Sequence, residues 1–294
     1  DIMSVETKLK DVTVNTFFKK KENNEKITML TAYDCSTAKY FDNAGVDAIL
    51  VGDSVGMVVL GYESTQHVTM TDMKVFTAAV ARGAKRSMII ADMPFMSYHT
   101  SVEEAVKNAG ELVRAGAYAV KLEGATDYIL TVVKRCVESG IPVMGHLGFT
   151  PQYLNVLGGY KVQGKSAENT RFILNQARKL QEAGAFSVVL EMVPEESAAL
   201  ISKNLKIATI GIGAGRYTNG QVLVADDILG KFSDFKPKFA RRYADLKSVI
   251  ENAAMGYISD VTTGEFPDES EIFHLSKEEQ DALKEIEDNE YNRC

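Results

Sequence analysis

Seven residues with reactive side chains stand at or just past the ends of apolar runs: Asp53 and Ser54 after LVG, Asp92 after IIA, Lys121 and Glu123 in VKLEG, His146 in VMGHLG and Glu191 in VVLEM. Lys121 and Glu123 are two apart, so an extended chain aims both at one face. The run that holds them, AGAYAVKLEG at 115–124, is otherwise apolar, and a charged pair there needs a task other than hydrophobic packing. Carboxylates gathered at one place repel and are driven toward protonation. A hard divalent cation relieves that, and oxygen donors with no Cys/His cluster select Mg²⁺, Mn²⁺ or Ca²⁺ over Zn²⁺. Asp53 and Asp92 are the expected direct ligands, with Glu123 bound directly or through water. Lys121, protonated beside these acids, could grip an anionic substrate; an ion-pair layer of Lys121 with Glu123 is the structural alternative. His146 reads equally as a catalytic histidine or as one that supports the acids from behind.

The elements that must position these groups repeat. AGAYAVKLEG shares its format with AGVDAILVGD (44–53) and AGAFSVVLEM (183–192): Ala-Gly, then branched and aliphatic residues, then an acid. The glycine suits a helix C-terminus, where a left-handed residue costs little without a Cβ. Further apolar runs, KITMLTAYD (26–34), SMIIADMP (87–94), IPVMGHLG (141–148), KIATIGIGAG (206–215) and QVLVADD (221–227), bring the candidate strands to eight. Near-continuous apolarity means burial on both faces and a parallel sheet. Helical patterns lie between them, among others at 71–84, 101–114 and 168–183. The second places Val102, Ala105, Val106, Ala109, Leu112 and Val113 on one stripe, opened by a Ser101/Glu104 capping box. Eight strand-then-helix units in about 250 residues predict an α/β fold, the (β/α)8 TIM barrel, with its site at the C-terminal strand ends. Ala119, Lys121 and Glu123 then face inward together, as do Ser187, Val189 and Glu191. GIGAGR breaks the dinucleotide fingerprint G-x-G-x-x-G at Arg216. GIGAG itself reads as a phosphate loop at a helix start or as a tight turn that lets backbone approach the site.

Of 294 residues, 45% are hydrophobic and 25% charged, so the core needs neither disulfides nor metal to form. A net charge of −7 argues against nucleic-acid or anionic-membrane partners. No segment approaches the roughly 18 apolar residues of a membrane span. Cys35, Cys136 and Cys294 are scattered and odd in number, and DIMSVETKLK lacks the apolar core of a signal peptide. Both point to a cytoplasmic location. The expected organisation is a polar extension over 1–26 lying on the surface, a catalytic barrel over 27–274, and an acidic tail over 275–294 forming one short helix.

Taken in order, TAYD (31–34), LVGDSVGMVVLGYEST, AVARGAKRS, IIADMPFMSY, AVKLEG, PVMGHLGFTPQ, GGYKVQG, VVLEMVP and IGIGAGRYTNGQVLVADDILG resemble the ketopantoate hydroxymethyltransferase family, over nearly the whole chain. The resemblance implies a barrel of the phosphoenolpyruvate/pyruvate type, Mg²⁺ dependence and a ring-shaped homodecamer. The implied reaction moves a hydroxymethyl group from 5,10-methylenetetrahydrofolate to 3-methyl-2-oxobutanoate, giving 2-dehydropantoate for pantothenate synthesis. By matching motifs it implies Asp53, Asp92 and Glu123 as the metal site, Asp53, Ser54, Asp92 and Lys121 as the 2-oxoacid site, and Glu191 as proton acceptor. The chain departs from the family at Gln66-His67, often Leu-Pro, at Phe76, often His, and at Arg216-Tyr217, where Asn or Pro is commoner. The rival expectations are a metal-dependent C–C lyase or mutase acting on another 2-oxoacid, a Schiff-base aldolase using Lys121, and a non-catalytic scaffold. The lyases usually rely on a cysteine loop, which neither Cys35 nor Cys136 matches, and acids around Lys121 oppose its nucleophilicity as an amine.

Overall fold

The computed structural model describes residues 11–231 and 237–291; Cys294 and the first ten residues of the expected extension lie outside them. Helix α1 (Val14–Glu22) precedes eight strands: β1 (Ile27–Thr31), β2 (Ala48–Val51), β3 (Met88–Asp92), β4 (Ala119–Glu123), β5 (Val143–Gly148), β6 (Ser187–Glu191), β7 (Ala208–Ile212) and β8 (Gly220–Leu223). They pair in sequence order, all parallel, and β8 closes on β1 to complete the barrel. After β1 runs α2 (Cys35–Ala44), after β2 α3 (Val55–Val58) and α4 (Met70–Gly83), after β3 α5 (Val102–Arg114) and after β4 α6 (Asp127–Glu138). After β5 come α7 (Leu154–Leu157) and α8 (Ala167–Glu182), after β6 α9 (Glu195–Lys203) and after β8 α10 (Ala225–Leu229). β7 passes to β8 without a helix, so the expected strand-then-helix alternation fails once.

Local chemistry explains the boundaries. The three Ala-Gly starts are left-handed at Gly45, Gly116 and Gly184, which turns each helix into the following strand. At α5 the expected capping box is half made. Ser101 Oγ accepts the Glu104 N–H, while the Glu104 carboxylate takes the neighbouring Thr100 hydroxyl instead.

Strand parity splits the core in two. Met29, Leu50, Met88, Ile90, Ala119, Met144, Val189, Ile210 and Val222 fill the barrel interior. Ile49, Ile89, Val120, Leu122, Val143, Val188 and Leu190 pack outward under the helices. The N-terminal end is closed by Phe17 of α1, fully buried and edge-on to Phe186 with centroids 5.3 Å apart. Lys20 reinforces it with a 2.6 Å ion pair to Asp47. Part of the stretch assigned to a polar surface extension, residues 14–22, is therefore a packed element. One buried phenylalanine among lysines is too sparse a signal to show as an amphipathic stripe.

The chain divides into two compact units, Asp1–Ala244 and Asp245–Cys294, a boundary some thirty residues earlier than 274/275. The second holds α11 (Leu246–Thr263) and α12 (Lys277–Tyr291). Asp245 caps α11 through the Ser248 N–H, and Gly264 ends it in the left-handed conformation. No helix of the described residues is long and apolar enough to cross a membrane.

Candidate active site

Register brings the charged strand ends to one mouth. Asp92 pairs with Lys121 across β3 and β4, Glu123 with His146 across β4 and β5, and Gly148 with Glu191 across β5 and β6. Asp53 lies two residues past β2 and off the inward parity. It enters because the chain turns there, and its N–H donates to Asp92 Oδ2 at 3.0 Å. Gly52 permits the turn, since a Cβ there would stand 2.7 Å from Ser54 Oγ. Ser54 Oγ is 2.8 Å from Tyr33 Oη. All seven candidates thus gather at the C-terminal end of the barrel.

Charges alternate across the mouth. Lys121 Nζ is 2.9 Å from Asp92 Oδ1 and 3.3 Å from His146 Nδ1, which is also 3.3 Å from Glu123 Oε1. On the far side His146 Nε2 stands 3.1 Å from Glu191 Oε2, close enough for charge attraction but off hydrogen-bond geometry. Asp53, Asp92, Lys121, Glu123 and His146 are all buried, whereas the Glu191 side chain keeps 16% exposure. Burial, Asp92 and Glu123 push the Asp53 carboxyl well above its usual range, against Lys121 and a hydrogen bond from Gln152. Burial opposes the charge on Lys121, but Asp92, Glu123 and Asp53 outweigh it and raise the ammonium's pKa. For His146, burial and Lys121 work against protonation, yet Glu123 and Glu191 prevail and carry it up to about 9. The site therefore holds an ammonium and an imidazolium among four carboxyls.

Gln152 is the residue that sequence reasoning missed. Its buried Nε2 donates to Asp53 Oδ2 at 2.8 Å and to Met93 O at 3.0 Å, and its N–H donates to Glu123 Oε2 at 3.0 Å. Tyr98 Oη donates to its Oε1 at 2.7 Å and accepts the Glu123 N–H at 3.2 Å. One neutral residue thus fixes two acids, Asp53 through its side-chain amide and Glu123 through its backbone N–H. The only signal was the final residue of HLGFTPQ, which carries no charge to draw attention. Gln66, one of the family departures, extends this network by donating to Gln152 O at 2.9 Å.

Gly148 matters for a different reason. At φ +91° it lets the Glu191 carbonyl come so close that a Cβ would stand 2.3 Å from that oxygen. Phe149 N–H, one residue on, donates to the same carbonyl at 2.8 Å. Gly148→Ala is expected to cost at least about 2 kcal/mol, from left-handed strain plus the backbone clash. Urea unfolding would measure it, and a loss below about 0.5 kcal/mol would count against this close approach.

Other expectations fall outside the mouth. Cys35 opens α2 and is exposed; Cys136 is buried in α6, where burial pushes its thiol up to about 11. Phe76 packs against the outer core. GIGAG is a turn: Gly213 and Gly215 are left-handed and lead through a loop into β8, so the helix start of a phosphate loop is missing. Arg216 pairs with Glu195 at 3.2 Å.

Among the described residues no three His, Cys, Asp or Glu side chains are drawn into a ready metal cage. Gln152, Lys121 and backbone N–H groups already engage Asp53, Asp92 and Glu123. The donor set nevertheless suits a hard cation bound through one or two carboxylates, with water and substrate completing the shell. Asp53 is held toward its neutral form by burial and by neighbouring acids, and buried Asp92 Oδ1 lacks a well-angled hydrogen bond.

A closed parallel barrel with such a cluster at its C-terminal mouth defines a barrel enzyme whose site is built from charged strand ends. Its fold is that of solved structures of the PEP mutase/isocitrate lyase superfamily. A 2,3-dimethylmalate lyase aligns at TM-score 0.56 and 14% identity, over 93% of this chain and 98% of its own. A phosphonopyruvate hydrolase, crystallised with oxalate and Mg²⁺, aligns at TM-score 0.57 and 11% identity, over 96% and 97%. Those likenesses speak to fold alone. The family described as ketopantoate hydroxymethyltransferase matches residues 11–269. The 3-methyl-2-oxobutanoate hydroxymethyltransferase of Caldicellulosiruptor saccharolyticus is 55% identical over 256 residues, covering 87% of this chain and 97% of that protein. That of Dehalococcoides mccartyi is 52% identical over 273 residues, covering 92% and 96%. The chain belongs to the ketopantoate hydroxymethyltransferase family and is a hydroxymethyltransferase.

Proposed function

We propose that the protein transfers a hydroxymethyl group from 5,10-methylenetetrahydrofolate to 3-methyl-2-oxobutanoate, giving 2-dehydropantoate in pantothenate synthesis. The observation that carries this reading is the pairing of a partly exposed carboxylate, Glu191, with a buried cationic cluster across the same mouth. Such a pairing suits proton removal beside a carbonyl whose developing charge needs a partner. In this reading Lys121 and Ser54, beside Asp53 and Asp92, hold the 2-oxoacid. Glu191 then removes the C3 proton. Lys121 would face the enolate oxygen in this reading and stabilise the charge that develops on it. The nucleophilic carbon next bonds to the one-carbon unit of the folate donor; both C–N bonds to that carbon break, water supplies the hydroxyl, and tetrahydrofolate leaves with the proton taken from C3 and one from water. His146 keeps Glu191 oriented and offsets its charge when the substrate is absent. Asp53, Asp92 and Glu123 would hold Mg²⁺, which when bound supplies Lewis-acid polarisation of the 2-oxo group.

The buried ion pair of Lys121 with Asp92 disfavours the Schiff-base alternative, because a protonated amine is no nucleophile. A homodecamer in the cytoplasm accompanies the proposal.

Deuterium exchange at C3 of 3-methyl-2-oxobutanoate, followed by NMR without folate, tests the chemistry. Exchange is expected with Mg²⁺ and should stop when EDTA removes it. Absence of exchange both without and with added tetrahydrofolate would sink the assignment.

A further inference from the structure

One tyrosine at the mouth has a hydroxyl proton with no acceptor among the described residues. His99, on the loop between β3 and α5, accepts the Met96 N–H at Nδ1, 3.2 Å away. A nitrogen that accepts carries no proton, so the ring is the neutral tautomer with hydrogen on Nε2. That hydrogen points to Tyr153 Oη at 3.3 Å, which makes Tyr153 the acceptor of the pair. The hydroxyl's own proton is then unspent among the described residues. Tyr98 behaves otherwise: its hydroxyl donates to Gln152 and accepts from Glu123, so it is saturated. Tyr153 Oη also lies 3.6 Å from where a Cβ of Gly124 would be, beside the tip of β4 and its Glu123.

Aromatic rings cluster around His99, the partner of this donor. Tyr98 backs His99 with centroids 4.0 Å apart, Phe95 lies 5.6 Å from His99 at 54°, and Tyr153 lies 6.0 Å away at 59°. The tilts keep these rings from closing into one flat stack and leave Phe95 and Tyr153 set at an angle to His99. Phe95, His99 and Tyr153 are each partly exposed, and Met96 is half exposed with φ +66°. A methionine held in the left-handed region with its side chain toward solvent costs energy that packing does not return. The same strained residue supplies the N–H that fixes the His99 tautomer.

We propose that Phe95, Met96, His99 and Tyr153 form the platform for the planar heteroaromatic ring of the one-carbon donor, with Tyr153 Oη donating to a heteroatom on the ring's edge. This rests on the functional reading above and assigns the second substrate to the Glu123 side of the mouth. A flat ring with acceptor atoms on its edge uses both features of this cluster, apolar walls and a directed O–H. A branched aliphatic 2-oxoacid has no flat ring to lay against these walls, and in the reading above its carboxylate is held by Lys121 instead. Tyr153 is here a specificity residue, and His99 positions it.

The test uses the full chain with Mg²⁺ and tetrahydrofolate as probe, read by calorimetry. Tyr153→Phe keeps the ring and removes the donor. It should raise the tetrahydrofolate Kd about three- to tenfold, the loss of one neutral hydrogen bond. Phe95→Ala should raise it about tenfold or more, the scale of lost aromatic stacking. In both, the Kd for 3-methyl-2-oxobutanoate should stay within about twofold of wild type, as should both constants in the distant control Tyr40→Phe. Tetrahydrofolate binding unchanged in both variants overturns the platform. So does equal weakening of both ligands, which marks a structural role. A wild type that binds no tetrahydrofolate yet exchanges C3–H overturns the platform while leaving enolisation intact. A wild type that does neither overturns the functional reading itself.

Discussion

Glu191→Gln is expected to lower kcat by about 10²–10⁴-fold, the range that a positioned general base contributes. The amide keeps the shape of the side chain but cannot take a proton. Its position should hold, because the Glu191 carbonyl is anchored by the Phe149 N–H and closed in by Gly148. His146 would lose one of the two carboxylates that raise its pKa, so its titration should move down from about 9. Stability should change little, since the side chain is not fully buried and its partner His146 retains Glu123. The decisive comparison is between turnover and Mg²⁺-dependent C3 exchange. Both should fall together if Glu191 is the base. Exchange at the wild-type rate with turnover lost would move the base elsewhere and leave Glu191 a role after enolisation.

Much of this site was legible because barrels make strand parity into geometry. Lys121 and Glu123 lie two apart in β4, and the structure places both in the mouth. Glu191 follows by the same count in β6. The strands themselves were visible because burial on both faces leaves little polar patterning; every residue of Ala48–Val51 is buried. What escaped has a common cause. Gln152 is neutral and sits in a single 3-10 turn after β5, so neither charge nor periodicity marks it, and its three donated hydrogen bonds exist only after that segment folds over the acids. Asp53 breaks parity and depends on a turn at Gly52. The closing contact of α1 depends on Phe17 meeting Phe186, residues 169 positions apart in sequence. The Tyr153–His99 pair likewise joins two loops, and nothing local to either predicts it.

Lys121→Met should produce the largest loss of stability. Removing one partner from a buried ion pair typically costs 3–5 kcal/mol, roughly, because the other charge stays behind without compensation. Here three carboxyls stay behind: Asp92 at 2.9 Å, with Asp53 and Glu123 also acting on the ammonium. The sign of the pH dependence follows. Asp53 already has a raised pKa, and losing the ammonium that opposes this raises it further. A carboxyl raised in the folded state favours folding below its unfolded pKa, about 3.9. That contribution is lost as pH rises through the folded value. The deficit of the variant relative to wild type should therefore be small in acid and grow toward neutrality. Denaturant unfolding at pH 5 and pH 7.5 would show it, and a deficit independent of pH would mean that the lysine stem rather than its charge supports the fold. Repeating the pH 7.5 measurement with Mg²⁺ adds a second reading. A cation at Asp53, Asp92 and Glu123 replaces the missing positive charge, so Mg²⁺ should return more stability to the variant than it adds to wild type. Equal stabilisation of the two would place the ion away from these acids.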